Sequence, residues 1–324
     1  MAQLNAAAQQ QEVSVPLPQV QEETRVEMRR QKQRRQRRDT LMFWLFILPA
    51  LLIFLNVVVI PFIIGIIYSF TDWDGFNFAG SQFIGLTNYK EIFAESRFHR
   101  AFGVTFLYAL FMIVFVNLIG FALALLVTSK IRSKNILRSI YFLPNMIGGL
   151  ILGFVWQFIF RRLWVQVGEL MNLEHIFFNW LTQRDTAFLS LVIVGVWQQA
   201  GYVMIIYIAG IQSIPTDVIE AASIDGASAL QRLRHITLPL MIPTITINLF
   251  VTMSTAMKQY DLNLSLTNGG PGGSTEMIAM NIYQTAYKYL NYSEAQAKAV
   301  IFFLVIMVIT VLQMGLSRRK ETRL

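Results

Sequence analysis

The sequence predicts an all-α membrane protein with six transmembrane helices, on three observations. Hydrophobic residues make up 55% of the chain and charged residues only 14%. Mean hydropathy is +0.49, which a soluble domain could not carry without exposing large apolar patches. Stretches free of Asp, Glu, Lys and Arg run over 41–70, 101–129, 139–160, 186–216, 235–257 and 299–317. Each reaches the roughly 17–25 residues that a spanning helix needs, and their continuity excludes the shorter alternating strands of a barrel.

The placement of Lys and Arg orients these spans. With the N-terminus in the cytoplasm, 1–40 carries 8, 129–138 carries 4, 212–239 carries 2 and 317–324 carries 4, whereas 71–100 and 161–186 carry three each and 263–296 carries one. The positive-inside rule therefore puts both termini in the cytoplasm. The net charge of +8 is accounted for by this bias. Arg34, Arg35, Arg37 and Arg38 stand where anionic headgroups would hold them, so no nucleic-acid partner is expected. No cysteine is present, which excludes disulfides and thiolate metal sites. Residues 1–40 read as a mobile basic tail, 41–316 as one membrane domain and 317–324 as a short second tail. The first apolar run is too long for a cleavable signal and reads as a retained helix.

Taken in order, the first span holds Pro49, Asn56, Pro61 and Gly65, which give it places to bend. The loop after it, with Asp72, Trp73, Asp74, Phe76, Phe78, Phe83 and Tyr89, suits the aromatic interface layer. A basic turn from Lys130 to Arg138 leads into a third span whose Pro144, Gly148, Gly149 and Gly153 permit close helix contact. Polar groups inside spans should face the bundle or a water-filled cavity. The fourth span offers Trp197, Gln198, Gln199, Tyr202 and Tyr207. The fifth offers Asn248, Thr252, Ser254 and Thr255, followed by Lys258, Gln259, Tyr260 and Asp261. Amides and hydroxyls match sugar hydroxyls, and aromatic faces match the C–H faces of a pyranose. For any one of these residues, helix-to-helix hydrogen bonding or interfacial anchoring is the plainer alternative. Asn56, Asn117 and Gln157 are lone polar groups that packing could satisfy.

Between the fourth and fifth spans, 212–239 is too polar for lipid. Thr216 can cap a helix beginning at Asp217, and Val218, Ile219 and Ala222 give that helix an apolar side while Glu220 projects elsewhere. Gly226 can close it in the left-handed conformation. Ser228 can cap a second helix carrying Arg232, Arg234 and His235, and Leu238-Pro239 turns the chain back towards the membrane. The alternative is an amphipathic loop lying on the headgroups.

The complete pattern Glu220-Ala221-Ala222, three residues ending at Asp225, Gly226, nine residues, Ile236, one residue, Leu238-Pro239 resembles the signature of permease subunits in binding-protein-dependent ABC importers. The resemblance covers about 41–320 and implies the type I importer fold. Glu220, Ala221, Ala222, Asp225, Gly226, Ile236, Leu238 and Pro239 would then seat in a cleft of an ATPase subunit. Leu266 to Glu276, rich in glycine, is similar to a loop of the carbohydrate-uptake group, as are Asp72-Trp73 and Gly85-Leu86-Thr87-Asn88-Tyr89. Read without the family, the glycine run is a flexible turn cluster.

That resemblance implies one half of a sugar or oligosaccharide pathway in a bacterial cytoplasmic (inner) membrane. The implied partners are a similar second permease chain, two ATP-binding cassette subunits and an extracytoplasmic solute-binding protein. ATP and Mg would be used by the partners, with no cofactor bound here. An ATPase of its own is not expected, because no Walker lysine loop exists. The histidines His99, His175 and His235 lie on separate loops, so no metal or acid-base cluster is expected. A secondary transporter would keep carboxylates deep in its spans, and the six uncharged runs contain none. A permease for a non-sugar solute remains the nearer alternative.

Overall fold

The computed structural model describes residues 17–76, 80–129 and 133–321. Apart from loops and one isolated antiparallel bridge between Thr71 and Phe83, the described chain is helical, as its composition predicts. It divides into two units at Ile64 and Gly65.

The first unit contains α1 (Leu17–Phe54), a π-helical turn (Leu55–Val59) and the start of α2 (Ile60–Tyr68). The tail expected to be mobile over 1–40 is helical from Leu17, and its first sixteen residues lie outside the described ones. Residues 19–48 hold neither Gly nor Pro and are rich in Gln, Glu, Arg and Lys before the apolar run, all compatible with an unbroken helix. Pro61 lacks the N–H that would bond the carbonyl four residues back, and the wider π turn lies just ahead of it. Described side chains from Arg35 to Val58 are all exposed, which suits a helix surrounded by lipid.

In the second unit, α3 (Thr87–Ala94) precedes the long α4 (Ser96–Thr128). The third span differs from its expected bounds of 139–160. It comprises α5 (Lys134–Met146), a break at Ile147 and Gly148, α6 (Gly149–Phe158), a π turn (Ile159–Leu163) and α7 (Trp164–Met171). Arg161 and Arg162, expected in a loop, therefore stand exposed on helix. The break is held by Gln198, whose Nε2 donates to the Ile147 carbonyl at 3.0 Å.

Next comes α8 (Arg184–Gln212), the helix that lies against α4 and α5. Gly120 of α4 sits where a Cβ would come 3.1 Å from the Ala200 carbonyl. Gly201 of α8 sits where a Cβ would run into the Tyr141 carbonyl oxygen. Small residues thus set these helix separations, as they do generally in membranes. Gly153 meets Ser265 in the same way, but Gly148 has nothing within 4 Å, so the packing role expected for it is absent.

Four short elements follow: α9 (Thr216–Ile224), α10 (Ala229–Arg232), a π turn (Leu233–Thr237) and α11 (Leu238–Leu240). Then α12 (Ile242–Met257) enters the core beside α4 and α8, around Tyr108, Met112, Leu191, Met204 and Met257. After it come α13 (Ile278–Tyr287) and α14 (Tyr292–Glu321). Among the described residues five helices are long and apolar enough to cross a membrane: Arg35–Tyr68, Ser96–Thr128, Gly149–Met171, Arg184–Gln212 and Tyr292–Gly315. The span expected over 235–257 is instead a pair, Ala229–Leu240 and Ile242–Met257, bent by 69°. Pro239 and Pro243 flank the break at Met241, and each withdraws a backbone donor there.

Gly201→Ala should force α5 and α8 apart and lower stability by about 1–3 kcal/mol, the usual range for overpacking. Thermal unfolding of the detergent-solubilised protein, with Gly148→Ala as the silent comparison, checks this. Equal melting of the two variants would contradict the packing described.

Candidate functional site

Two regions of the second unit bring the singled-out residues together. The first is the segment from α9 to α11. Pro215, already extended at φ −57 and ψ 133, occupies the N-cap of α9, so the helix starts one residue earlier than expected and Thr216 is not its cap. The Thr216 hydroxyl donates instead to the Asp217 carboxylate at 3.4 Å. The end of α9 is a Schellman closure. Ala227 N–H reaches the Ala222 carbonyl at 2.9 Å, Gly226 N–H reaches that of Ser223 at 3.2 Å, and Gly226 takes φ +80. Glycine stands there because of that backbone angle, since its Cβ position is open space. Ser228 caps α10 in a capping box with Gln231. Arg232 ties the turn by donating to the Ala227 carbonyl at 2.7 Å.

This geometry leaves Glu220, Ala221 and Asp225 exposed and Ala222 half-buried. Val218, Ile224 and Leu230 are exposed apolar groups beside them, with Ile224 at 86%. Ile236, Leu238 and Pro239 are half-buried in the π turn and α11 that carry the chain into α12. The segment is thus a capped helix pair presenting the carboxylates of Asp217, Glu220 and Asp225 beside exposed apolar side chains.

The second region is a cavity of about 340 Å³ between α4, α6, α8 and the end of α12. Of the ten residues proposed from sequence for a solute pathway, Gln198, Gln199, Lys258, Gln259, Tyr260 and Asp261 line it, together with Tyr108, Asn145 and Thr255. Oε1 of Gln199 is buried without a hydrogen-bond partner among the described residues. Burial, and then the neighbouring Tyr283, hold the Tyr260 phenol above its ordinary pKa, so its hydroxyl remains a donor at neutral pH.

The other four do not reach this cavity. Trp197 packs edge-on to Trp156 at 5.5 Å and lines an apolar groove with Phe111 and Leu143, while Tyr202 points away and is 38% exposed. Asn248 and Thr252 are fully buried among α4, α8 and α12. There the Tyr207 hydroxyl donates to Asn117 Oδ1 at 2.8 Å and Asn117 Nδ2 approaches the Thr252 hydroxyl at 3.4 Å. Thr252, Asn117 and Tyr207 thus satisfy each other between helices, whereas both polar side-chain atoms of Asn248 are buried without a hydrogen-bond partner among the described residues. Gln157 is satisfied between helices too, donating to the Ser265 and Leu266 carbonyls at 3.1 and 3.2 Å.

The glycine-rich segment is not a loose turn. Glu276 accepts two hydrogen bonds from Arg97, at 2.8 and 2.6 Å, and a third from Asn281 at 3.0 Å. Asn263 holds the other side through Thr275 and Met277. Nearby, Lys298 is 1% exposed, with its ammonium 2.6 Å from Glu95, 2.8 Å from Glu294 and 3.0 Å from the Thr285 hydroxyl. Arg97 and Lys298 escaped the reading by uncharged runs because they lie just before the runs at 101 and 299, and Glu276 because it lies in the glycine-rich segment between runs. The Glu294 and Lys298 spacing of four was the available signal.

An all-helical chain with several membrane-length helices, a short capped helix pair between two of them and a polar cavity inside the bundle defines a multi-pass permease. Residues 116–323 match the family described as binding-protein-dependent transport system inner membrane component, and the chain belongs to that family. It is 48% identical over 282 residues to a probable starch degradation products transport system permease protein of Thermoanaerobacterium thermosulfurigenes, covering 87% of this chain and 96% of that one. A multiple sugar-binding transport system permease protein of Streptococcus mutans is 30% identical over 278 residues, covering 86% and 96%. The fold is shared with a solved bacterial ABC transporter involved in alginate import, at TM-score 0.77 and 23% identity over 89% of this chain and 99% of that one.

Removing Glu276 takes the counter-charge from a half-buried Arg97 that is otherwise held by Gln284. Glu276→Ala should therefore lower stability by about 3 kcal/mol and loosen the glycine-rich segment, and Arg97→Lys, which keeps charge but loses the fork, should recover only part. Limited proteolysis at 268–275 together with melting temperature reads both effects.

Proposed function

We propose that this chain is one of two transmembrane subunits of an ATP-driven importer of oligosaccharides in a bacterial cytoplasmic membrane. The observation that carries the reading is the cavity, in which amides, hydroxyls, a phenol and one charge of each sign converge, with the buried Gln199 acceptor left without a protein partner among the described residues. Such a lining suits a neutral, hydroxyl-rich solute. The sugar and starch products in the names of the relatives support the same class.

In this reading six spans place both termini in the cytoplasm, the bent pair serving as the fifth. The α9–α10 pair then faces the cytoplasm and docks on one of two ATPase subunits, with Glu220 meeting a basic group and Val218, Ile224 and Leu230 meeting apolar ones. The cavity opens towards a loaded binding protein on the other side, and a similar second permease chain completes it. ATP and Mg act in the ATPase subunits. Closure of these on ATP favours the outward-open arrangement of the bundle, and hydrolysis resets it, so the motor acts through differential affinity for two states.

ATPase activity of the co-purified complex in lipid, with its binding protein, tests the class across neutral and acidic oligosaccharides, amino acids and phosphate esters. Stimulation by a neutral oligosaccharide is expected; stimulation only by a non-sugar solute would overturn the carbohydrate assignment. Glu220→Lys and Gly226→Pro should leave the chain inserted and abolish uptake, because one reverses the docking charge and the other forbids φ +80. Ordinary transport by either variant would remove the coupling role.

A further inference from the structure

A file of aromatic rings leads away from the cavity. Tyr260, in the cavity wall, lies 5.2 Å from Tyr283, which lies 4.8 Å from Tyr287, one turn along α13. Tyr287 lies 6.3 Å from Tyr292 at the start of α14, and Tyr292 lies 5.8 Å from Trp73 in the loop after α2. These are centroid distances between five consecutive rings. The middle of the file is open, with Tyr283 47% and Tyr287 62% exposed. Trp73 is held to its end by Gly75, whose φ of +93 lets the loop backbone approach the Tyr292 ring where a side chain would collide.

Interfacial anchors would be spread around the bundle at one depth. These rings instead follow one path, two of them one helical turn apart on α13, and the path begins inside the cavity. The centroid steps run from 4.8 to 6.3 Å and successive ring planes turn by 40° to 84°, so the rings offer faces and edges in succession along the path. Tyrosine and tryptophan faces attract the apolar C–H faces of such units without requiring fixed hydroxyl geometry, so a chain can slide from ring to ring.

Resting on the oligosaccharide reading above, we propose that Tyr283, Tyr287 and Tyr292 form a stacking track that receives an extended oligosaccharide and delivers its leading unit to Tyr260 in the cavity. A monosaccharide or disaccharide occupies at most one or two rings, so the track favours longer chains.

The test is uptake by the complete complex, with its second permease chain, ATPases and binding protein, in proteoliposomes, for linear α-glucans of two to six units. Tyr283→Ala and Tyr287→Ala should raise KM for chains of four or more units by roughly three- to tenfold and leave the disaccharide unchanged. Tyr283→Phe and Tyr287→Phe should behave as the unaltered protein, since the ring and not the hydroxyl does the stacking. Basal ATPase activity of each variant confirms assembly. An equal effect on every chain length, or loss in the Phe variants, would overturn the track while leaving the importer reading intact. Failure of the unaltered complex to take up any glucan, with uptake of a non-sugar solute, would overturn both.

Discussion

Everything in this chain is arranged around the demand that polar groups in a bilayer find partners within the protein. No water is at hand in the hydrocarbon region, and each unpaired group costs several kcal/mol there. The demand shows wherever a helix is interrupted. At Ile147 the backbone leaves the helix, and Gln198 from α8 supplies the missing donor. At Ser265 and Leu266 the carbonyls of another irregular turn are taken up by Gln157 from α6. Long amides on neighbouring helices thus permit the breaks, and the breaks shape the cavity that lies between them.

The same constraint governs charge. Arg97 and Lys298 sit near the ends of membrane-length helices, and neither is solitary. A bidentate carboxylate faces the first, and two carboxylates with a hydroxyl surround the second. Since Glu276 belongs to the glycine-rich segment, Glu95 to the junction before α4, and Thr285 to α13, these two cations lace together elements that the chain visits far apart in sequence. The glycines then become intelligible. Gly270, at φ +71, has its Cβ position against Thr275, so the segment can fold tightly enough to present Glu276 to Arg97.

Much of this was legible before any coordinates. Helical class follows from uncharged runs, and the Gly226 closure and Ser228 cap follow from local backbone chemistry that needs no tertiary partner. Bends were less legible, because a proline says that a helix is interrupted without saying how: Pro61 follows a π turn within a continuing helix, whereas Pro239 and Pro243 flank a change of direction by 69°. Within the cavity, what sequence could not resolve was the face of each polar residue. Gln198 and Gln199 turn inward to the cavity while Trp197, one step away on the same helix, turns to an apolar groove. Asn248 and Thr252 have the residue types of a solute site, yet Asn117 and Tyr207 on other helices claim that layer, and such a claim depends on packing over long sequence separations.

The position of α12 connects the two candidate regions. Its N-terminal side grows out of α11 and the helix pair around Glu220, and its C-terminal side ends at Lys258 in the cavity wall. At about 1.5 Å per residue, its 16 residues separate the two by some 24 Å of stiff rod. Halfway along, α12 presents Asn248 and Thr252 to a polar layer in which the single Tyr207 hydroxyl donates to Asn117 of α4 while Asn248 lies beside it. In the proposed mechanism α12 is the stiff element that carries a bias applied at the helix pair to the cavity wall, and it passes on the way through a buried layer where the Asn248 amide is left without a partner among the described residues.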